Sequence, residues 1–201
     1  MKFEIKSRES VYRGFFRLDQ VRLRHELFGG GLGPALVREI FERGHSVGVL
    51  PYDPDQGTVV LIEQFRIGAL EAGQGPWLFE VVAGIRESDE TEESVARRET
   101  IEETGTPVSS LEPVCRYLVS PGGTSESTML YCGRVDSRGL DGRLLGLEHE
   151  HEDIRVHVVP VEEALGMIAD GRLNSAMPII ALQWLALNRA RLHQRWQLPP
   201  P

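Results

Sequence analysis

Cysteine is scarce in this sequence, which holds only Cys115 and Cys132 among its 201 residues. Two cysteines cannot build the disulfide framework of a small secreted domain. Each of them lies in an apolar stretch that resembles a β-strand. We therefore expect two buried free thiols in a reducing compartment, with a bond between the two as the alternative.

Long apolar runs are missing as well. No stretch of the sequence approaches the roughly 18 consecutive apolar residues that a membrane-spanning helix needs. Residues 1–6 lack the apolar core of a signal peptide. These two absences predict a cytoplasmic protein that does not enter the membrane.

Positive charge is in deficit, because 22 lysines and arginines face 30 aspartates and glutamates, for a net charge of −8. An acidic protein is a poor non-specific binder of nucleic acid, so nucleic acid is not an expected partner. If the substrate is anionic, bound divalent cations would have to reverse the local field.

Strand-like stretches fill much of the chain. Alternating or apolar segments of this kind are typical of β-strands; they cover residues 11–27, 36–42, 46–52, 58–64, 78–83, 114–119, 127–135 and 154–160. The glycine-rich residues 29–34 predict a turn or hinge. Residues 53–57 predict the turn of a hairpin that joins 46–52 to 58–64.

Helices are predicted in the middle and at the end of the chain. Residues 91–104 have helical composition, and Gly105 follows as a C-cap with Pro107 beyond it. Two further helices are predicted, over residues 161–170 and from about Asn174 onward, the second with Pro178 in its first turn. Strands around a central helix, with helices at the end, predict an α+β (mixed α/β) fold.

The most informative segment is residues 84–106, GIRESDETEESVARRETIEETGT. On a helix, Glu99, Glu102 and Glu103 share one face, where like charges repel. Oxygen clusters of this kind suit magnesium or manganese. The alternative is a solvated surface helix that is rich in acids, and the glutamates alone do not decide between the two.

Seven residues of this segment fall at the spacings of the Nudix box: Gly84, Glu90, Arg98, Glu99, Glu102, Glu103 and Gly105. The chain therefore resembles Nudix hydrolases, which cut pyrophosphate bonds with magnesium. It departs from the family at Thr100 and Thr106, where aliphatic residues are preferred and pack the helix. Pro121, shortly beyond the box, resembles a marker of the bacterial ADP-ribose pyrophosphatase subfamily.

The resemblance implies a Nudix fold, an α/β/α sandwich with a mixed sheet, in residues 46–201. Residues 1–45 would form an antiparallel strand region that exchanges between subunits, giving a homodimer with shared sites. The implied metal ligands are Glu99, Glu103, Glu152, the carbonyl of Ala83 and Glu102, the last directly or through water. The metal would be Mg²⁺, with Mn²⁺ as a possible substitute and two or more ions per site.

A second acidic segment, residues 149–153, reads His-Glu-His-Glu-Asp. If it is extended, Glu150 and Glu152 point to one side and His149 and His151 to the other. Resemblance makes Glu150 the catalytic base and Glu152 a metal ligand. A solvated loop and, on the histidines, a zinc site are the alternatives.

Substrate contacts are also implied by the subfamily. Arginines suit a diphosphate because the guanidinium donates paired hydrogen bonds, and aromatic rings suit adenine. The implied residues are Phe15, Phe16, Arg38, Glu39, Arg43, Arg66, Ile85, Ser120, Pro121, Gly122 and Glu126. The alternative for the phenylalanines is a place in the core, and for the arginines surface ion pairs.

The resemblance favours hydrolysis of ADP-ribose to AMP and ribose 5-phosphate. One alternative is a Nudix hydrolase for another nucleoside diphosphate sugar or a dinucleotide. Another is a Nudix module that senses a nucleotide without cutting it, but such modules typically lose box glutamates. Because Glu99, Glu102 and Glu103 are all present, the sequence favours catalysis.

Overall fold

The computed structural model describes residues 1–199 and 201. It contains eleven strands, which are β1 (Phe3–Arg13), β2 (Arg17–His25), β3 (Leu36–Glu42), β4 (Ser46–Asp53), β5 (Thr58–Phe65), β6 (Trp77–Glu80), β7 (Val82–Ile85), β8 (Ser110–Leu118), β9 (Ser127–Arg134), β10 (Leu144–Leu145) and β11 (Ile154–Pro160). Its helices are α1 (Glu92–Thr104), α2 (Val161–Ala169) and α3 (Ala176–Arg195). No helix within the described residues is long and apolar enough to span a membrane.

The chain divides into two compact units. The first, which we call the strand unit, consists of Met1–His45 and Tyr117–Thr128. The second, which we call the sheet unit, consists of Ser46–Arg116 and Met129–Pro201.

The strand unit is an antiparallel sheet in the order β1-β2-β3. Residues 120–124 join it at the end of β3, where Phe41 N donates to the Gly123 carbonyl and Thr124 Oγ1 to the Phe41 carbonyl, both at 2.8 Å. The sequence predicts strands only from residue 11, whereas β1 begins at Phe3. That prediction was incomplete because β1 is exposed along nearly its whole length, so burial imposes no clear alternation.

The sheet unit contains an eight-stranded mixed sheet. Six strands follow the order β10-β11-β5-β4-β9-β8, while β6 pairs with β5 and β7 with β4. The predicted β4–β5 hairpin is confirmed, with Tyr52 opposite Val59 and Asp53 opposite Thr58. Its turn holds because Asp53 Oδ1 accepts from the amides of Asp55 and Gln56 at 3.0 and 3.1 Å.

Helices cover both faces of the central strand β4, in which every residue is buried. Val47 and Val49 belong to one apolar cluster with Val95 and Ala96 of α1. The intervening Gly48 faces the other way, because a Cβ atom there would overlap Met177 Sδ of α3. Since successive side chains of a strand point to opposite faces, α1 and α3 lie on opposite faces of the sheet. The predicted α+β sandwich is confirmed.

The apolar segment before the acidic helix is two strands, although the sequence predicts one over residues 78–83. β6 pairs with β5 and places Glu80 opposite Ile62. β7 pairs with β4 and places Ala83 opposite Gly48 and Gly84 opposite Val47. The single-strand prediction was wrong because hydrophobicity does not show that the segment changes its partner near residue 81.

Both cysteines are free. Cys132 lies in β9 and is fully buried, which raises the pKa of its thiol. Cys115 lies in β8 and is only half-buried, so the prediction of two buried thiols was wrong for this residue. β8 stands at the end of the strand order, and Glu112 is its one buried residue, so Cys115 is partly exposed like most of the strand.

Candidate active site

The acidic helix α1 is bounded by strong local signals. Thr91 is its N-cap, and the Thr91 hydroxyl accepts from Ser94 N at 3.1 Å. Glu92 and Glu93 occupy the first turn, where the helix dipole favours negative charge. Gly105 ends the helix in the left-handed conformation, with φ of 72°. The helix therefore runs as the sequence predicts.

Gly84 leaves the space that Glu99 occupies. A Cβ atom at position 84 would overlap the carboxyl group of Glu99. The backbone of Gly84 is not in the left-handed region, since its φ is not positive. The glycine is therefore needed because the Glu99 side chain crosses β7 at this residue, and not for backbone freedom.

Arg98 connects three carboxylates at the start of this site. Its Nε and Nη2 donate to Glu90 Oε1 and Oε2 at 3.0 and 3.2 Å. Its Nη1 donates to Glu99 Oε1 and Glu102 Oε2, both at 2.9 Å. Glu90 also accepts from the Glu87 amide at 3.2 Å, which closes the loop before the helix. The guanidinium thus orients two of the predicted ligand carboxylates.

Glu103 is the most deeply buried carboxylate of the helix, with 2% of its surface exposed. Its Oε2 accepts from the Ala83 amide at 3.1 Å. In an extended strand the N–H and C=O of one residue point to the same side, so the Ala83 carbonyl also points away from β4. The structure therefore brings Ala83 and Glu103 together, as the resemblance implies.

Burial and mutual repulsion raise the pKa values of Glu99 and Glu103. Desolvation dominates for Glu99, whose pKa is raised despite Arg98, with Glu102 and Glu152 adding repulsion. The pKa of Glu103 is raised well above its ordinary value by burial and then by Glu99 and Glu152, against the Ala83 amide and Arg66. The surroundings therefore disfavour the charged form of both side chains.

In the conformation described, the acids do not form a ready-made metal cluster. Within residues 1–199 and 201, no group of three or more His, Cys, Asp or Glu side chains converges as a metal-binding set. Arg98 holds Glu99 and Glu102 instead. The donors themselves are carboxylate oxygens, which are the ligands that hard divalent cations prefer.

The segment before β11 is not extended, which corrects the sequence interpretation. Glu148–Glu150 is a 3-10 turn, and His151 follows in the left-handed conformation, with φ of 57°. Alternation therefore does not place Glu150 and Glu152 on one side. Glu152 Oε2 accepts from Leu147 N at 3.2 Å, and its charge acts on Glu99 and Glu103.

Glu150 is directed differently. Its side chain is 56% exposed and lies 3.6 Å from His149 Nε2. The pattern of alternating charges misled the sequence analysis because a left-handed residue reverses the chain between the two glutamates. Of the predicted pair, the structure places Glu152 beside the helix carboxylates.

Arg66 lies where β5 ends, close enough to Glu103 to lower the pKa of that carboxyl. Its amide donates to the Pro76 carbonyl at 2.7 Å, and its Nε donates to Glu80 Oε2 at 2.8 Å. Gln64 Nε2 donates to the same oxygen at 3.2 Å. Sequence reasoning missed Glu80 and Gln64, since only the β5–β6 pairing brings them to Arg66.

Ile85, at the end of β7, is half-exposed.

The strand unit brings several predicted substrate residues together by itself. Arg43 lies over the Phe16 ring at 5.5 Å, and its Nε is 3.5 Å from Glu126 Oε2. Phe15 packs edge-on against Phe16 at 4.8 Å and is 91% exposed, which contradicts the alternative of a core residue. Arg38 and Glu39 are exposed on β3, and Arg38 Nη1 donates to the neighbouring Val37 carbonyl at 2.8 Å.

The loop that carries Ser120, Pro121 and Gly122 also belongs to the strand unit and is exposed. Ser120 O accepts from the amides of Gly123 and Thr124 at 3.0 Å, which forms a tight turn. Glu126 follows and is buried. The loop, Arg43 and Phe16 thus belong to one compact unit.

Thr100 and Thr106, where the sequence departs from the Nudix box, are both buried. Thr100 Oγ1 donates to the Ala96 carbonyl at 2.7 Å, and Thr106 Oγ1 to the Asp136 carbonyl at 3.2 Å. Because each hydroxyl has a partner, the departures change packing without leaving a buried polar group unpaired.

Comparison with known proteins agrees with this geometry. The NUDIX domain model matches residues 42–180. The ADP-ribose pyrophosphatase of Escherichia coli (strain K12) is 50% identical over 193 residues, which cover 96% of this chain and 92% of that protein. The ADP-ribose pyrophosphatase of Haemophilus influenzae is 41% identical over 197 residues, covering 96% and 90%.

Two further similarities are more distant. The GDP-mannose pyrophosphatase of Yersinia pestis is 35% identical over 153 residues, 76% of each chain. A crystal structure of an ADP compounds hydrolase superposes with a TM-score of 0.73 at 20% identity, covering 95% of this chain and 96% of that one, which supports the fold. The chain therefore belongs to the Nudix family.

Proposed function

We propose that this protein hydrolyses the pyrophosphate bond of ADP-ribose to AMP and ribose 5-phosphate. The observation that carries the proposal is the acidic face of α1, where Glu103 is buried against the Ala83 amide and Glu99 is half-buried, both with raised pKa values. The substrate is supported by relatives that bear the name ADP-ribose pyrophosphatase over nearly the whole chain.

Magnesium, with manganese as a substitute, is the proposed cofactor. Glu99, Glu102, Glu103, Glu152 and the Ala83 carbonyl would hold two or more ions, because their oxygens suit hard cations. When bound, such ions neutralise the diphosphate and lower the pKa of coordinated water. Cation binding would also relieve the repulsion among the carboxylates and replace the Arg98 contacts with Glu99 and Glu102.

The remaining steps belong to the chain itself. Glu150, whose side chain is exposed, would take the proton of the attacking water. Arg66 would donate to the diphosphate and hold it in place. In the strand unit, Phe15, Phe16 and Glu39 would contact the adenine, with Arg38 and Arg43 at the phosphates. The other proposed substrate contacts are Ile85 in the sheet unit and Ser120, Pro121, Gly122 and Glu126 in the strand unit.

A homodimer with shared sites is part of this proposal. Large apolar side chains are exposed in the strand unit, notably Phe3, Phe15 and Phe28. A second subunit would cover such groups and complete the site from both chains. Sedimentation at assay concentration should give a dimer; a monomer with full specific activity would exclude a shared site.

A substrate panel tests the activity. Initial rates are measured on ADP-ribose, ADP-sugars, GDP-mannose and dinucleotides, with magnesium, with excess chelator, and with magnesium restored. We expect ADP-ribose to have the highest kcat/KM, and turnover to stop in chelator and return with the metal. Full activity in chelator would contradict the metal mechanism.

The second candidate is hydrolysis of another nucleoside diphosphate sugar. It is favoured by the similarity to GDP-mannose pyrophosphatases over 76% of the chain. A higher kcat/KM for GDP-mannose than for ADP-ribose would select it. Binding of ADP-ribose without turnover of any substrate would instead select a sensing module.

A further inference from the structure

We propose that Glu80 is a positioning residue that holds the Arg66 guanidinium in the orientation needed to bind a diphosphate. The inference rests on the proposed function, which makes Arg66 a diphosphate contact. It adds a residue outside the Nudix box, and the contacts between β5 and β6 carry it.

Glu80 contacts the guanidinium of Arg66 through one nitrogen. Nε of Arg66 donates to Glu80 Oε2 at 2.8 Å. Among the described residues, Arg66 forms no ion pair other than this one. Both terminal nitrogens therefore remain available. Since the terminal nitrogens form the fork that matches two phosphate oxygens, use of Nε by a carboxylate preserves the bidentate face.

Glu80 is itself held in place by a buried side chain and by strand pairing. Gln64 is buried, and its Nε2 donates to the same Oε2 atom at 3.2 Å. Glu80 is paired through β6 to Ile62, two residues before Gln64 on β5. One carboxylate oxygen thus joins a buried amide to a half-exposed arginine, so the strand pairing fixes where the guanidinium can lie.

The contact with Glu80 reduces the rotamer freedom of the Arg66 side chain before substrate binds. An arginine loses rotamer freedom on binding, and a side chain already fixed in the free protein loses less. The Arg66 amide is also tied to the Pro76 carbonyl at 2.7 Å, which fixes the backbone beneath the side chain. Preorganisation of a contact made in both ground and transition states lowers KM and leaves kcat nearly unchanged.

The test compares Glu80→Ala, Glu80→Gln and Arg66→Ala with the double variant. We expect Glu80→Ala to raise KM for ADP-ribose roughly tenfold, the order expected for a lost charge-assisted hydrogen bond, with kcat within about twofold. Glu80→Gln keeps an acceptor oxygen and should raise KM less. In the double variant, loss of Glu80 should add nothing to Arg66→Ala, because the two side chains act as one unit.

Glu71→Ala is the matched control, since Glu71 is an exposed glutamate in the connection between β5 and β6. The KM of this variant should not change. Thermal unfolding of each variant separates a positioning role from a structural one. The positioning role of Glu80 is overturned if Glu80→Ala leaves KM unaltered or lowers only kcat and stability. It is also overturned if the effect of Glu80→Ala adds in full to that of Arg66→Ala.

Calorimetric binding of ADP, which carries the diphosphate, repeats the comparison without turnover. A weaker ADP affinity in both Glu80→Ala and Arg66→Ala supports the inference even if ADP-ribose is not the substrate. Unchanged ADP affinity in Glu80→Ala overturns it, whatever the wild-type protein hydrolyses. Absence of ADP-ribose hydrolysis by the wild-type protein overturns only the proposed function.

Discussion

Glu99 lies against Gly84 so closely that one methyl group at position 84 would overlap its carboxyl group. The glycine that opens the Nudix box and the glutamate in its helix are therefore one steric unit. Glu99 reaches its position across β7 only because residue 84 has no side chain.

Gly84→Ala should displace the Glu99 carboxylate and lower activity. A misplacement of about 1 Å in a catalytic site costs roughly 10²-fold in rate, so we expect kcat/KM to fall to that extent. Part of the loss should return at higher magnesium concentration if Glu99 is a ligand. The measurement is kcat/KM against magnesium concentration.

Gly166→Ala is the control for this change. Gly166 lies inside α2 with no atom within 4 Å of an added Cβ. Alanine should there stabilise the helix by about 0.5–1 kcal/mol and leave the rate unaltered. Equal activity of the two variants would show that the contact between positions 84 and 99 has no catalytic consequence.

Glu103→Gln should stabilise the metal-free protein at neutral pH. Because the folded-state pKa of Glu103 is raised, folding favours the protonated form, and this contribution is fully present below the unfolded pKa. It is lost as the pH rises through the folded pKa. Glutamine remains neutral and can still accept from the Ala83 amide, so Tm in chelator should rise by roughly 2–4 °C at neutral pH.

The pH dependence gives the control for Glu103. The difference in Tm between Glu103→Gln and the wild type should shrink as the pH falls toward the ordinary glutamate pKa. If Glu103 is a metal ligand, hydrolysis should be lost in the variant. A Tm below that of the wild type throughout the pH range would contradict the destabilising burial of this carboxylate.

Glu150, which ends the 3-10 turn, and Glu152, which lies between that turn and β11, should differ in their metal dependence. If Glu150 is the base, Glu150→Gln should bind metal and substrate but lose about 10²–10⁴-fold in kcat. If Glu152 is a ligand, Glu152→Gln should need more magnesium and recover part of its rate there. The measurement is kcat against magnesium concentration for both variants.

The opposite pattern would reverse the two assignments. Rescue of Glu150→Gln by metal, with none for Glu152→Gln, would make Glu150 the ligand. Full activity in both variants would leave the segment as solvated surface, and Glu126 would be the next candidate for the base.

Thr100→Val should be nearly neutral for stability. The Thr100 hydroxyl donates to the Ala96 carbonyl, but helix geometry already provides that carbonyl with the backbone amide of residue 100. Valine has the same shape and suits an apolar site. We expect a change in the free energy of unfolding within about 1 kcal/mol in denaturant titrations. A larger loss would show that the hydroxyl itself is required.

Local chemistry explains which parts of the fold could be predicted. Helix α1 is bounded by Thr91 and Gly105, whose capping roles depend only on neighbouring residues. The β4–β5 turn depends on Asp53 and the amides that follow it. Such signals lie within a few residues and are readable from the sequence.

Long-range pairing explains the rest. The ion pair of Arg66 with Glu80 requires the β5–β6 register, which spans residues that no periodicity connects. The charged segment around Glu150 was misread because a left-handed His151 costs little but changes the direction of the chain. The placement of Glu99 and Glu103 on one face of α1 was predictable because both lie on the same helix, four residues apart.

The change of strand partner near Val81 restricts how the length of this segment can vary in evolution. One residue more or less between Glu80 and Gly84 would turn Ala83 away from Glu103 and replace Gly84 with a side chain against Glu99. The connection that holds Gly73 has open space around it and can accept insertions. Length variation among relatives should therefore fall before β6 and stay out of β7.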